Sequence, residues 1–185
     1  SDVIGTSVWQ KNTGSFTFVP GPLFANLVLA DEINRTSPRT LSCLLEAMEN
    51  GQVSIDGRTE ELGSPFTVLA TRNPIEFHGT FPIPEAALDR FLVRVELDYP
   101  TPDFELDLYM GSDAEARLLE VEPIMHPDDL LALQAAAAKV NVRAPVAEYA
   151  LRVVQATRVH PDVRLGASPR AALAWLKTAR ARALL

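Results

Sequence analysis

The sequence predicts an α/β protein in two parts, a parallel sheet with helices and two inserted β-hairpins, followed by an all-helical part. Two apolar runs typical of sheet strands lie at Leu27–Ala30 and Phe66–Thr71. Strand patterns stop after residue 99, and the later segments have helical spacing. Because the proline-rich linker Tyr99–Pro102 separates the two patterns, we expect one domain over residues 1–99 and a helical domain over residues 100–185.

The first domain begins with a hairpin and continues into a strand that ends in two acids. Residues 7–19 alternate around the turn formers Lys11–Gly14, which predicts a β-hairpin. Leu27–Ala30 are four apolar residues in a row, a pattern typical of a strand buried on both faces. Asp31 and Glu32 follow at once, so this strand should deliver two carboxylates to the edge of the sheet, where ligands of open α/β folds bind.

A helix, a second hairpin and a second central strand come next. Ser37–Pro38 is typical of a helix start, and leucines at helical spacing continue up to Gly51. Asp56–Gly57 is a strong two-residue turn signal inside residues 52–62, which predicts the second hairpin. Phe66–Thr71 then predicts the second strand of the parallel sheet.

The remaining elements are mostly helical. A loop rich in glycine and proline, residues 76–84, leads to a short predicted helix, Glu85–Phe91. Phe91–Leu97 alternates between apolar and polar residues and predicts a third strand. Four helices are predicted in the second part, over Asp103–Leu119, Pro127–Lys139, Ala144–Val159 and Ser168–Leu185.

Composition excludes several classes of protein. The formal net charge of -7 argues against nonspecific electrostatic binding to the phosphate backbone of nucleic acids, so we expect no nucleic-acid partner. No run of eighteen apolar residues occurs, so we expect no membrane span. Cys43 is the single cysteine and can form no internal disulfide, which fits a reducing cytoplasm.

Polar residues that could carry chemistry fall at the ends of these elements. Asp31 suits a hydrated Mg²⁺, and Glu32 is placed to polarise an attacking water, which is the Walker B pattern of an ATPase. Asn73 follows the next strand, Arg90 precedes the third, and Arg170 begins a late helix. Each position also fits a solvated turn, a surface ion pair or an exposed helical residue, and spacing alone does not decide.

Five ordered blocks of sequence carry a family resemblance. They are residues 24–35 (FANLVLADEINR), 44–49 (LLEAME), 70–76 (ATRNPIE), 82–91 (PIPEAALDRF) and 166–171 (GASPRA). In this order they resemble the signatures of the MoxR family of AAA+ ATPases, and the resemblance covers almost the whole chain. It implies a partial AAA+ core of the P-loop type followed by an α-helical lid domain.

The resemblance also implies a role for each candidate residue. Asp31 would coordinate Mg²⁺, and Glu32 would activate the water that attacks ATP. Asn73 resembles sensor 1, which orients that water against the γ-phosphate. Arg90 resembles the arginine finger that reaches the nucleotide of a neighbouring subunit, and Arg170 resembles sensor 2 on the lid. A homo-oligomeric ring, normally a hexamer, follows from these roles.

The implied function is that of a chaperone-like motor. ATP turnover would remodel a protein client or assist metal-cofactor insertion, often in this family beside a von Willebrand factor A domain protein. Residues 7–19 and 52–66 match the family's inserted hairpins, its client-facing or pore-facing surface. Two alternatives stay open, a non-catalytic protein-interaction module and a magnesium-chelatase-like AAA+ subunit, although Gly166–Arg170 and the acidic charge favour MoxR.

One departure from the family pattern matters most. The chain contains no Gly-x-x-x-x-Gly-Lys-[Ser/Thr], the P-loop that lies upstream of Asp31 in the family. We therefore expect an N-terminally truncated fragment that is inactive alone, with a lid that is also cut short. In AAA+ sheets the P-loop strand lies between the two strands predicted at Phe66–Thr71 and Phe91–Leu97. Both should therefore have unpaired edges, which pair with another copy or shift together.

Overall fold

The computed structural model describes residues 3–55, 57–73, 81–111 and 114–185. The described strands are β1 (Gly5–Gln10), β2 (Ser15–Pro20), β3 (Leu27–Ala30), β4 (Gln52–Ile55), β5 (Arg58–Glu61) and β6 (Thr67–Ala70). The described helices are α1 (Pro38–Asn50), α2 (Glu85–Leu88), α3 (Pro102–Tyr109), α4 (Ala114–Leu119), α5 (Pro127–Lys139), α6 (Ala144–Val159) and α7 (Pro169–Leu184). A strand-containing part is followed by a helical part, which confirms the predicted α/β class.

The parallel pair β3 and β6 forms the centre of the first part. Its inward side chains, among them Val28 and Val68, pack on a buried cluster that includes Leu44 of α1. The prediction that β3 is buried on both faces is wrong, because Leu27 and Leu29 are 60% and 67% exposed. A sheet face is buried only where another element covers it, and among the described residues α1 and its neighbours cover one face.

Both predicted hairpins are confirmed in the described residues. β1 and β2 pair antiparallel, and Trp9 packs edge-on against Phe16 with ring centroids 5.1 Å apart. β4 and β5 pair antiparallel from Gln52 opposite Glu61 to Ile55 opposite Arg58, while the predicted turn residue at position 56 lies outside the described residues. The first hairpin exposes its aromatic pair, whereas the second contributes a fully buried valine to the core.

Local sequence sets both ends of α1. Ser37 caps its start, because its Oγ accepts a hydrogen bond from the backbone N–H of Thr40 at 3.2 Å, and Pro38 occupies the first turn. Gly51 ends the helix with φ 64° and ψ 23°, a left-handed conformation that glycine adopts without steric cost. Its N–H donates to the carbonyl of Ala47 at 3.0 Å.

Between the two parts, one predicted strand is wrong. Phe91–Leu97 forms no strand, and Leu97 is 95% exposed. An alternating pattern is not sufficient for a strand, because a strand also needs a hydrogen-bonding partner. Among the described residues β6 pairs with β3 along one side, and no strand lies along its other side. The pairing of these edges with another copy stays a prediction, and most of the predicted loop at residues 76–84 lies outside the described residues.

The helical part is formed by α3 to α7. The helix predicted over Asp103–Leu119 is instead the pair α3 and α4, and Gly111 after α3 has a left-handed φ of 85°. The three later helices are confirmed, and α7 packs against α5 and α6. No helix in the described ranges combines the length and apolarity that crossing a membrane requires.

The chain has far more accessible surface than a compact protein of its size. Its accessible surface is 14777 Å², whereas a compact 20.2 kDa protein is expected to have about 8,800 Å². The uncovered face of β3 and β6 contributes to this excess through Leu27, Leu29 and Leu69. These 185 residues therefore fold around a small core and leave sheet surface that further protein could cover.

Candidate functional site

The two central strands bring their carboxyl ends to the same edge of the sheet. Ala30 lies opposite Ala70 in the parallel register, so Asp31 and Thr71 follow side by side. The backbone N–H of Thr71 donates to the carbonyl of Ala30, and the N–H of Ile33 donates to the carbonyl of Thr71, both at 3.0 Å. The ladder thus continues past the strands and fixes the backbone on either side of the acids.

A threonine hydroxyl orients the first acid. The hydroxyl of Thr71 donates a hydrogen bond to Oδ1 of Asp31, and the Oγ1 of Thr71 accepts the backbone N–H of Glu32 at 2.9 Å. One side chain therefore fixes both acidic positions relative to β6. The sequence analysis did not select Thr71, and the signal that could have found it is its position directly after β6, in register with Asp31 after β3.

Glu32 has a strained backbone. Its φ of 48° and ψ of 54° are left-handed, and it is the one non-glycine residue with positive φ in the described parts of the chain. Such a conformation costs on the order of 1 kcal/mol for a residue with a Cβ. The side chain is 37% exposed and contacts Nε of Arg35 through Oε2 at 3.2 Å. The turn therefore leaves this carboxylate at the surface of the sheet edge.

A buried asparagine, Asn34, connects the backbone of Asn73 to the segment that carries the acids. Nδ2 of Asn34 donates to the main-chain carbonyl of Asn73 at 3.2 Å, and the carbonyl of Asn34 accepts the N–H of Phe81 at 2.7 Å. Asn34 is only 7% exposed, so it acts from inside the fold. The structure therefore places Asp31, Glu32 and the backbone of Asn73 at the same edge of the sheet. Asn34 itself was not predicted.

The acidic edge has the chemistry of a weakly ligated magnesium site. In the described ranges no three side chains of His, Cys, Asp or Glu form a metal-binding cluster. Mg²⁺ does not require one, because it commonly keeps several waters and takes one or two carboxylates together with substrate phosphates. The carboxylate of Asp31, held by the Thr71 hydroxyl, fits that requirement.

The two predicted arginines meet at a different place, on a carboxylate that the sequence analysis did not select. Oε1 of Glu49, near the end of α1, lies 3.4 Å from Nε of Arg90 and 2.6 Å from Nη2 of Arg170. The side chains are partly exposed, 32% for Glu49, 33% for Arg90 and 50% for Arg170. One oxygen therefore serves both guanidinium groups.

Two further polar contacts join the same regions, and we call this set of contacts the core–lid junction. The hydroxyl of Ser168 donates to both carboxylate oxygens of Asp89 at 2.9 and 2.7 Å, and it also accepts the N–H of Ala171 as the cap of α7. Nη2 of Arg164 lies 2.9 Å from Oε1 of Glu85. Exposed ion pairs contribute about 0–1 kcal/mol each, so the ion pairs of this junction add little to its stability.

In the described parts of the chain, Arg90 and Arg170 form ion pairs with Glu49, whereas Glu32 forms its ion pair with Arg35. Asp31 and Glu32 precede the start of α1 at Pro38, whereas Glu49 is the penultimate residue of that helix. A helix of 13 residues is about 20 Å long. In the sequence, the acids therefore come before α1, and the carboxylate that holds the arginines lies near the end of that helix.

Comparison with known proteins assigns both parts of the chain. The family described as "ATPase family associated with various cellular activities (AAA)" matches residues 1–93, which hold the acids, Asn73 and Arg90. The family described as "AAA lid domain" matches residues 155–185, which hold Arg170.

Individual relatives agree with this assignment. The chain is 47% identical over all of its length to the uncharacterised protein YeaC of Bacillus subtilis, and 41% identical over all of its length to Chaperone MoxR1 of Mycobacterium tuberculosis. It covers 58% and 51% of those proteins, so it spans about half the length of the curated relatives it matches. A crystal structure from Cytophaga hutchinsonii, provisionally designated an ATPase, matches 99% of the chain with a TM-score of 0.85 and 35% identity, and the match covers 58% of that chain.

Proposed function

The chain belongs to the MoxR family of AAA+ ATPases, and we propose that the full-length protein hydrolyses ATP between the subunits of a ring to remodel a protein client. One observation carries the proposal, the convergence of Asp31, Glu32 and Asn73 at one edge of the parallel sheet. Carboxylates and an amide at this edge are the groups that phosphoryl transfer to water requires.

Each group at the edge has a distinct task in this proposal. Asp31 would hold Mg²⁺, which would supply positive charge to neutralise the phosphates. Glu32 accepts a proton from the attacking water, and its half-exposed carboxylate at the sheet edge is accessible to that water. Asn73 orients the water. Asn34 holds Asn73 in place through a hydrogen bond to the backbone carbonyl of Asn73. Thr71 keeps Asp31 in the orientation that the metal needs.

The arginines act on the ATP of the adjacent subunit. Arg90 pairs with Glu49 rather than with the acids of its own chain, and in this proposal it completes the site of a neighbour, where an arginine supplied in trans contributes on the order of 10³ to 10⁵ in rate. Arg170 reaches the same phosphates, since it shares a carboxylate oxygen with Arg90. It is carried on α7, so nucleotide state would move the lid. We propose a hexamer, from the family resemblance.

The client would bind at the first hairpin. Trp9 and Phe16 are 51% and 66% exposed at the surface of β1 and β2, and an aromatic pair is suited to binding apolar peptide. One relative is named a chaperone. The proposal also includes a von Willebrand factor A domain protein as partner and a role in metal-cofactor insertion, and both rest on the family resemblance. It further includes a cytoplasmic location, which rests on the single thiol of Cys43.

The 185 residues should not turn over ATP by themselves. They contain no Gly-x-x-x-x-Gly-Lys-[Ser/Thr], and this motif supplies the backbone N–H groups and the lysine that hold the phosphates. An assay of ATP turnover by this chain alone should therefore give no activity above background.

The test replaces Glu32 in the full-length protein. Glu32→Gln should lower the rate of ATP hydrolysis by about 10²-fold or more, because a neutral amide cannot accept the proton, while ATP binding is kept. Glu46→Gln is the matched control, since Glu46 lies on α1 and bonds to Ser54. Full activity of Glu32→Gln would contradict the proposal. No nucleotide binding by the full-length protein would favour the interaction module instead.

A further inference from the structure

We propose that Glu49 is a positioning residue, which holds Arg90 and Arg170 together as one phosphate-binding pair for the ATP of the adjacent subunit. This inference rests on the function proposed above and adds to it a residue with no assigned role. Glu49 comes from the core, Arg90 follows α2 and Arg170 belongs to α7. One carboxylate therefore fixes two cations from different parts of the chain.

The atoms in contact suit an orienting role. Glu49 contacts Arg90 at Nε, on the stem side of the guanidinium. The two terminal amino groups of Arg90 form no hydrogen bond with the described residues. They therefore stay available for phosphate oxygens, which they match in geometry. Arg170 uses one terminal amino group on Glu49 and keeps its other donors for a ligand.

Charge balance favours the capture of an anion. One carboxylate between two guanidiniums leaves one net positive charge, so the cluster still attracts phosphate although its two cations are held side by side. Without Glu49, two like charges would repel each other at the surface and the arginines would sample many rotamers. The carboxylate thus removes repulsion and conformational entropy before the ligand arrives.

The core–lid junction keeps Arg90 and Arg170 next to each other. Asp89 and Arg90 are consecutive, and they contact Ser168 and Glu49 respectively. Arg170 lies two residues after Ser168 at the start of α7, so the Asp89 contact places the beginning of that helix beside Glu49. Movement of the lid away from the core would therefore separate Arg170 from Arg90.

The experiment compares Glu49→Gln with Glu46→Gln in the full-length protein. We expect Glu49→Gln to lower kcat about tenfold, because the negative charge between the two guanidiniums is lost and the remaining neutral hydrogen bonds are weaker, and to leave KM within about twofold because the arginines act on the transition state. Glu49→Asp, which keeps the charge, should retain more activity than Glu49→Gln. Glu46→Gln should match the wild type. Equal or raised activity of Glu49→Gln would overturn the proposal.

Mixed rings separate a positioning role from a structural one. Glu49→Gln subunits mixed in equal amounts with Glu32→Gln subunits should recover about a quarter of the wild-type rate, because one site in four combines an intact Glu32 with an intact arginine pair. Mixtures of Glu49→Gln with Arg90→Ala should show only the average of the two separate activities, about a twentieth of the wild-type rate, since both defects lie on the same side of the interface. The reverse pattern would overturn the inference.

The mixtures also distinguish failure of the inference from failure of the proposed function. If Glu32→Gln and Arg90→Ala each abolish turnover while Glu49→Gln keeps the wild-type rate, only the role of Glu49 is wrong. If Glu32→Gln and Arg90→Ala retain full turnover, the ATPase mechanism itself is wrong.

Discussion

The two ends of helix α1 are built differently. Before its first residue, Asp31 and Glu32 are held by hydrogen bonds to Thr71, which follows the neighbouring strand. Near its last residue, Glu49 holds two arginines through partly exposed ion pairs, and one of those arginines comes from the helical part. The first end is held by backbone hydrogen bonds of the sheet and by the hydroxyl of Thr71, whereas Glu49 at the second end is joined to its arginines by partly exposed ion pairs.

This difference shows how one chain can carry two incomplete halves of a site. The acidic end is rigid and suits groups that must orient a metal and a water within a few tenths of an ångström. The arginine end is weakly held and suits groups that must engage and release a neighbour's ligand. Three experiments test this division, from the largest expected effect to the smallest.

Replacement of Arg90 tests the arginine end most strongly. In the full-length protein Arg90→Ala should lower ATP turnover by about 10³-fold or more, because the charge of the transition state loses a guanidinium supplied in trans. Steady-state kinetics measure this loss. Arg94→Ala is the control, since Arg94 pairs with Glu96 at an exposed surface and its side chain is 75% exposed. A loss below tenfold for Arg90→Ala would show that the arginine end is not part of the catalytic site.

Replacement of Thr71 tests the acidic end. Thr71→Val keeps the branched shape and removes the hydroxyl that contacts Asp31 and the N–H of Glu32. We expect turnover to fall about tenfold, because a hydrogen bond to a charged group is lost, and the Mg²⁺ concentration needed for half-maximal activity to rise. Titration of Mg²⁺ against activity measures both effects. Thr67→Val, at the start of β6, should leave the titration unchanged.

Removal of a helix cap tests the junction with the smallest effect. Ser168→Ala deletes the cap of α7 and its hydrogen bonds to Asp89, so the free energy of unfolding should fall by about 1 kcal/mol. Urea unfolding of the 185-residue chain measures the change. Ser42→Ala on α1, whose hydroxyl bonds back to the carbonyl of Pro38, should change stability by less than about 0.5 kcal/mol. Equal losses in the two variants would mean that the junction adds nothing to the stability of the helical part.

Local signals made most of the fold predictable from the sequence. The cap at Ser37, the left-handed glycine at position 51 and the alternation in both hairpins are determined by neighbouring residues, and these elements formed as predicted. Phe91–Leu97 did not form a strand, because its alternation is local whereas strand pairing depends on a partner elsewhere in space. The bare face of β3 has the same cause, since burial depends on what covers the sheet.

The candidate site was predictable only in part. Asp31 and Glu32 directly follow β3, and Asn73 comes three residues after β6, so the parallel register places their backbones at one edge of the sheet; their roles stay a prediction. Thr71, Asn34 and Glu49 were missed, because each acts through a contact with a residue at least 39 positions away, and such contacts leave no periodic pattern. Their roles depend on tertiary structure.

The left-handed backbone of Glu32 has a consequence for laboratory evolution of this protein. Glycine and asparagine adopt this conformation more readily than glutamate. A library randomised at position 32 and sorted only for thermal tolerance would therefore enrich Gly and Asn. The enriched clones would have an unstrained backbone at position 32 but no carboxylate there. Selection for heat resistance and selection for ATP turnover should therefore favour different residues at this position.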